Sequence, residues 1–268
     1  METLPSGIVY RYWPVEQPKA AILLIHGLGE HSGRYQHVAE AFNAKGFTVV
    51  APDHLGHGES PGTRVFVEQF DDYLTGVREC RAIIDQRCPG VPCFVLGHSM
   101  GGLITGRLLL DDQAQYRGAL LSAPAFAAEQ PPSGLVMFIG RLLSKLAPKI
   151  GMIALDASGV SRDPDVVAAY NADPLVNHGK ITAALGIALF DGMAEVMSRA
   201  GEIKLPLLVM HGDADIMAAP KGSEQFAAAV SSSDKTLKLL PGLYHEIFNE
   251  PEGADIIAAY AEWIESRL

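Results

Sequence analysis

The stretch Gly97-His98-Ser99-Met100-Gly101 has the residue types and spacing of a nucleophile carried on a sharp strand-to-helix turn. The apolar run Val91 to Leu96 leads into it, and Leu103 to Leu110 follows with the character of a helix. A serine at the apex of such a turn needs small neighbours, because the turn crowds the backbone and strains the serine's own dihedrals. Glycines at 97 and 101 relieve the crowding, and Gly102 lets the start of the helix pack close to a sheet. The pattern G-x-S-x-G recurs by chance. Its position at a strand-to-helix junction is what marks Ser99.

A serine hydroxyl is a weak nucleophile and needs a base within hydrogen-bond reach, itself oriented by an acid. On this kind of turn the chain order is Ser, then Asp or Glu, then His. Leu205 to Met210 reads as a strand and runs into His211-Gly212-Asp213-Ala214-Asp215. Thr236 to Leu240 reads as the next and runs into Pro241-Gly242-Leu243-Tyr244-His245-Glu246. Loops that follow parallel strands share one edge of the sheet, where ligands bind in open α/β sheets. His245 is therefore the expected general base. Asp213 and Asp215 compete for the acid, and position alone barely separates them. Acyl transfer also needs oxyanion donors, and two backbone N–H groups suit: that of Met100, and that of Leu28 in the loop His26-Gly27-Leu28-Gly29.

The elements that would position these residues alternate. Ile8 to Trp13 reads as a strand near the edge, and Ala20 to Ile25 as a strand covered on both faces. A helix around Tyr35 to Lys45 precedes the strand Phe47 to Ala51. Phe70, Tyr73, Leu74, Val77, Cys80 and Ile84 recur at helical spacing, so Phe66 to Arg87 reads as an amphipathic helix. Val91 to Leu96, Gly118 to Ser122, Leu205 to Met210 and Thr236 to Leu240 are expected as buried strands, and Gly253 to Leu268 as a last helix. The expected fold is α/β, a mostly parallel sheet flanked by helices. The rhythm breaks between 123 and 202, where helical stretches (Leu135 to Leu146, Asp163 to Tyr170, Thr182 to Ser198) follow one another without a strand. Residues 1–122 and 203–268 are thus expected to form the core, and 123–202 a helical cap over the sheet edge.

Composition sets the class. A chain of 268 residues, 48% hydrophobic and 19% charged, suits one sizeable α/β domain with an insertion. The net charge of -10 argues against nucleic acid and against electrostatic binding to anionic lipid. No stretch approaches a membrane span, and Met1 to Ser6 lacks a signal peptide's basic region and apolar core, so a cytoplasmic protein is the expectation. Cys80, Cys88 and Cys93 lack metal-ligand spacing and read as buried thiols.

Two rival chemistries can be weighed. Gly27-x-Gly29-x-x-x-Gly33 followed by Asp53 superficially meets a dinucleotide fingerprint, but the Glu30 carboxylate would repel phosphate. His54 and His57 could suggest metal ligands, but no third ligand follows by spacing, and their glycines and proline read as a tight loop. No cofactor or metal is expected.

Three segments, His26-Gly27-Leu28-Gly29-Glu30-His31-Ser32-Gly33-Arg34-Tyr35, Gly97 to Gly102, and Tyr170-Asn171-Ala172-Asp173-Pro174-Leu175, together resemble the monoacylglycerol lipase group of the α/β-hydrolases, related to lysophospholipase-like esterases. Pro241 to Glu246 matches as well. The resemblance implies an α/β-hydrolase fold with a cap, and a serine hydrolase that cleaves monoacylglycerols to fatty acid and glycerol. A broader carboxylesterase or lysophospholipase is the alternative. It also implies Ser99 as nucleophile, Asp215 as acid, His245 as base, and Leu28 and Met100 as oxyanion donors. Glu30, His31 and Arg34 would form a supporting network, with His98 and Tyr170 near the glycerol head-group. Val136, Met137, Phe138, Ile139, Leu142, Leu143 and Leu146 are too many apolar residues for one buried helix face, so the cap is expected to touch membrane or micelle peripherally.

Overall fold

The computed structural model describes residues 1–154 and 157–268; Leu155 and Asp156, inside the expected cap, lie outside the described residues. The chain opens with β1 (Glu2–Thr3), β2 (Val9–Trp13) and β3 (Ala20–Ile25), then α1 (Gln36–Ala44), β4 (Phe47–Pro52) and α2 (Asp72–Arg87). β5 (Cys93–His98), α3 (Met100–Asp112) and β6 (Gly118–Ser122) follow. Between β6 and the next strand of the main sheet lie α4 (Gly134–Leu146), β7 (Gly151–Ala154), α5 (Pro164–Ala172), β8 (Lys180–Thr182) and α6 (Ala183–Arg199), the segment expected as an insertion. The chain then returns through β9 (Leu207–Gly212), α7 (Pro220–Ala229), β10 (Lys235–Leu240) and α8 (Gly253–Glu265).

The main sheet has the order β1-β2-β4-β3-β5-β6-β9-β10. β1 and β2 pair antiparallel, as do β2 and β4; every later neighbour is parallel. This is the expected α/β class. Side chains alternate between two cores because a strand has period two. On β3, Ala21, Leu23 and Ile25 enter the core shared with α2, α3 and α7, while Ala20, Ile22 and Leu24 enter the one shared with α1 and α8. All six are buried, which is why Ala20 to Ile25 is apolar throughout instead of alternating. β5 and β9 divide the same way. The three cysteines are free and buried.

Three expectations need correction. β10 is not a buried strand: it closes the sheet, pairs only with β9 there, and leaves Lys235 and Lys238 exposed, as edge strands commonly do. The helix expected from Phe66 starts at Asp72, whose carboxylate accepts the N–H groups of Glu68 and Gln69 and so holds the preceding turn; Val67 and Phe70 reach the core from that turn. The insertion is not purely helical, since β7 and β8 pair antiparallel. Strands of three and four residues are too short to show a period-two pattern.

Candidate active site

Ser99 joins β5 to α3 at φ 54° and ψ -120°, a conformation that L side chains rarely adopt. The glycines around it are required by contact. A Cβ at Gly97 would lie 2.3 Å from both the Gly101 carbonyl oxygen and Thr105 Oγ1, and one at Gly101 would lie 2.0 Å from the carbonyl oxygen of Ile25 on β3. The turn is therefore clamped between its own helix and the neighbouring strand, which keeps the serine in its strained pose.

β5, β9 and β10 run parallel, so the loops that follow them converge. His245 Nε2 stands 2.8 Å from Ser99 Oγ, and its Nδ1 stands 2.6 Å from Asp215 Oδ2. Asp215 Oδ1 accepts the N–H groups of Met217 at 2.7 Å and Ala218 at 3.1 Å. Burial disfavours the charged Asp215 carboxylate, but His245 and His211 prevail and hold it well below the usual carboxylate range. For His245, burial opposes protonation, but the Asp215 carboxylate outweighs it and raises the imidazole above its ordinary value. Of the two candidate acids, Asp215 is the one in contact with His245. Asp213 is exposed and accepts the Gly242 N–H instead.

The loop after β3 faces Ser99. Leu28 and Met100 both line the cavity above the serine, and among the described residues the Leu28 N–H has no backbone acceptor. Glu30 holds this loop: its Oε1 accepts from the Gly27 N–H at 2.6 Å and the Tyr35 hydroxyl at 2.7 Å. Arg34 Nη1 donates to Glu30 Oε2 at 2.8 Å and also reaches Glu246, the residue after His245. The Arg34 guanidinium lies 4.7 Å from the centre of the Tyr170 ring. His31 Nε2 lies 2.9 Å from Asp173 Oδ2, and the Asn177 N–H donates to the Gly29 carbonyl at 2.7 Å. Glu30, His31 and Arg34 thus tie the loop to the His245 loop and to the insertion, with none of them touching Ser99 Oγ.

The cavity holds about 180 Å³. Apolar side chains of α6 (Leu189, Phe190, Met193) line it together with Ile181, Val160 and Met217, and Glu30, His98, Tyr170 and Glu246 add polar groups to the lining. His98 and Tyr170 therefore both line it. The His98 ring lies 4.9 Å from that of His245 and its Nδ1 is 3.0 Å from Ser122 Oγ; burial, with His245 adding, pushes it down to about 3, so it is uncharged. Glu246 and His211 were not singled out from sequence. Glu246 adjoins His245, but its role depends on a contact with Arg34 that no local pattern encodes.

Of the residues of the two rival chemistries, Asp53 and His54 are hydrogen-bonded within the fold, while His57 Nδ1 lies 3.1 Å from the Leu55 carbonyl oxygen and its buried Nε2 has no hydrogen-bond partner among the described residues. Asp53 accepts from Ser32, Arg11 and the Glu59 N–H. The His26 and His54 rings pack 4.0 Å apart, and His54 Nε2 bonds the His26 carbonyl.

A serine on a strained turn, followed along a parallel sheet by an acid loop and a histidine loop, defines a serine hydrolase of α/β-hydrolase fold. A family model described as serine aminopeptidase, S33, matches residues 16–252, and the chain belongs to that family. It is 43% identical over 262 residues to the monoacylglycerol lipase of Mycolicibacterium smegmatis, covering 97% of this chain and 94% of the relative. The crystal structure of the Paleococcus ferrophilus monoacylglycerol lipase is similar with a TM-score of 0.88 at 33% identity, covering 97% of this chain and 99% of the other. A soluble variant of the Saccharomyces cerevisiae monoglyceride lipase, in complex with a substrate analog, gives 0.84 at 25% identity, covering 96% and 90%.

Proposed function

We propose that this chain hydrolyses monoacylglycerols to fatty acid and glycerol through an acyl-enzyme on Ser99. The observation that carries the reading is the continuous hydrogen-bonded line from Ser99 through His245 to Asp215, beneath a cavity lined by both apolar and polar side chains. Ser99 Oγ attacks the ester carbonyl as His245 Nε2 takes its proton. The N–H groups of Leu28 and Met100 bind the oxyanion. Collapse of the intermediate breaks the ester C–O bond, and His245 returns the proton to the leaving glycerol oxygen. Water then adds in the same way, leaving fatty acid and free Ser99, while Asp215 stabilises the imidazolium in both halves.

In this reading residues 123–202 are the cap, and the acyl chain lies against Leu189, Phe190 and Met193 of α6. The head-group meets His98, Tyr170 and the Glu30-Arg34-Glu246 cluster. An ester substrate suits the site better than a peptide N-terminus. An α-ammonium group needs a free carboxylate, and among the described residues the cavity's carboxylates, Glu30 and Glu246, are both bonded to Arg34.

The face of α4 supports peripheral contact with lipid. Leu135, Phe138 and Leu146 are 69%, 67% and 74% exposed, and Leu142 is half exposed. Among the described residues no helix is long and apolar enough to cross a membrane, so docking would rest on this apolar surface.

The direct test compares hydrolysis of monoacyl-, diacyl- and triacylglycerols, lysophosphatidylcholine and an amino-acid p-nitroanilide, with a fluorophosphonate probe reporting Ser99. Preference for the monoacylglycerol and labelling of Ser99 are expected. Preference for lysophosphatidylcholine or the anilide would overturn the substrate, and labelling elsewhere would overturn the nucleophile.

A further inference from the structure

His211 lies on β9, four residues before Asp215. It is fully buried, and no step of the acyl transfer uses it. Its Nε2 stands 2.9 Å from Asp215 Oδ2, the same oxygen that lies 2.6 Å from His245 Nδ1. The Ala218 carbonyl oxygen is 3.1 Å from that Nε2. Two acceptors face this nitrogen, so it carries hydrogen and donates. The other ring nitrogen, Nδ1, is 2.7 Å from Ser223 Oγ on α7, which fixes the ring's orientation. We propose that His211 is a positioning residue that acts through Asp215, holding the carboxylate for His245 and reducing the negative charge it presents to that imidazole. The inference rests on the reading of Ser99, Asp215 and His245 as the triad.

A residue that merely filled this space would not need to share Oδ2. The Oδ1 side of the carboxylate is held by the Met217 and Ala218 N–H groups, so His211 acts on the Oδ2 side alone. What His211 adds is a second donor on the oxygen that faces His245. Each donor favours the charged form of a carboxylate and spreads its charge, weakening its hold on a proton carried by a neighbour. Removing His211 would leave the Oδ2 charge directed at His245 alone. The imidazolium would gain stability, and the free base that Ser99 needs would appear only at higher pH.

The other groups around His245 are Glu30 and Glu246, both tied to Arg34, and the His98 ring. None lies on β9, and a change at 211 leaves them in place. Asp213, the other acid of the loop, is exposed and turned toward Gly242.

The experiment measures kcat/KM for p-nitrophenyl butyrate against pH in the full chain, in His211→Phe, His211→Gln and Ser223→Ala, with Asp215→Asn as reference. In His211→Phe the acid limb should move upward by about half a pH unit or more, the scale of one hydrogen bond's differential contribution. The amide N–H of His211→Gln should return the limb toward wild type. Ser223→Ala leaves His211 a weaker donor and should move the limb the same way by less. An unmoved limb in both His211→Phe and Ser223→Ala, with Asp215→Asn nearly inactive, overturns the inference and leaves the triad standing. If His211→Phe does not fold, Ser223→Ala decides alone. Full activity in Asp215→Asn would instead overturn the triad reading itself, and this inference with it.

Discussion

Arg34 and Glu246 are joined by two hydrogen bonds, Nη1 to Oε1 at 2.6 Å and Nη2 to Oε2 at 2.8 Å, across a sequence separation of 212 residues. The fork joins the loop that carries Leu28 to the residue after His245. Because Nη1 also holds Glu30, and Glu30 holds the Gly27 N–H, one guanidinium links the Gly27 backbone to the side chain that follows His245. The loop that carries Leu28 and the loop that carries His245 are therefore held together.

Replacing Arg34 by Met should be costly for stability as well as rate. It would leave Glu30 and Glu246, both nearly buried, without a counter-charge. Breaking such a pair from one side costs about 3–5 kcal/mol. We expect the urea midpoint and the turnover of a short-chain ester to fall together. Arg34→Lys should recover only part of either, since an ammonium cannot make the fork. Unchanged stability in Arg34→Met would show that solvent reaches both carboxylates.

The strained serine gives a second test. Ser99→Ala should abolish hydrolysis and fluorophosphonate labelling, and should keep the strain because alanine has a Cβ at φ 54°. Ser99→Gly should be equally inactive but more stable than Ser99→Ala. The backbone strain relieved is about 1–3 kcal/mol, reduced by the roughly 0.5–1 kcal/mol entropy cost of glycine. Thermal unfolding of the two inactive variants measures the difference, and equal midpoints would mean the turn holds no strain.

Why Ser99 and its turn were legible in sequence is clear from the contacts. Gly97 and Gly101 are fixed by backbone oxygens within 2.3 Å of where their Cβ atoms would be, so steric necessity wrote the motif into the chain. β3, and β5 as far as Leu96, were legible because burial on both faces leaves apolar residues there, while β5 runs on through Gly97 to the buried His98. β10 was misjudged although Lys238 stands in the middle of Thr236 to Leu240, a charge that fits a sheet edge better than a buried strand. The pairing of β7 with β8 and the bond between Arg34 and Glu246 join distant segments, and neither leaves a local period. His211 was passed over for the same reason: a histidine at a strand end gains meaning only from Asp215 and Ser223 around it.

The choice between the two acids of the β9 loop is testable directly. Asp215→Asn should lower turnover by roughly 10⁴-fold, the loss seen when a triad acid is neutralised. Asp213→Asn should have little effect on turnover, because its exposed carboxylate holds only the Gly242 N–H at 2.6 Å. Measuring kcat for both on one soluble ester decides the matter. The reverse ranking would move the acid to Asp213.

The last prediction separates contact with lipid from catalysis. On α4, Phe138 and Leu142 lie four residues apart and share one face, with exposures of 67% and 49%. Residues so exposed contribute little to the core, so Phe138→Glu with Leu142→Glu should leave the thermal midpoint nearly unchanged. If that face enters a lipid surface, each carboxylate would have to be desolvated there, and the net charge of -10 offers no compensating attraction. Sedimentation with neutral phosphatidylcholine vesicles should then weaken, and hydrolysis of a long-chain monoacylglycerol presented in those vesicles should fall with it. Cleavage of p-nitrophenyl butyrate should stay near wild type, because none of the Ser99, His245 and Asp215 contacts involves α4. A parallel loss on both substrates, accompanied by a lower midpoint, would mean that α4 packs as core and that the enzyme meets its substrate by another surface.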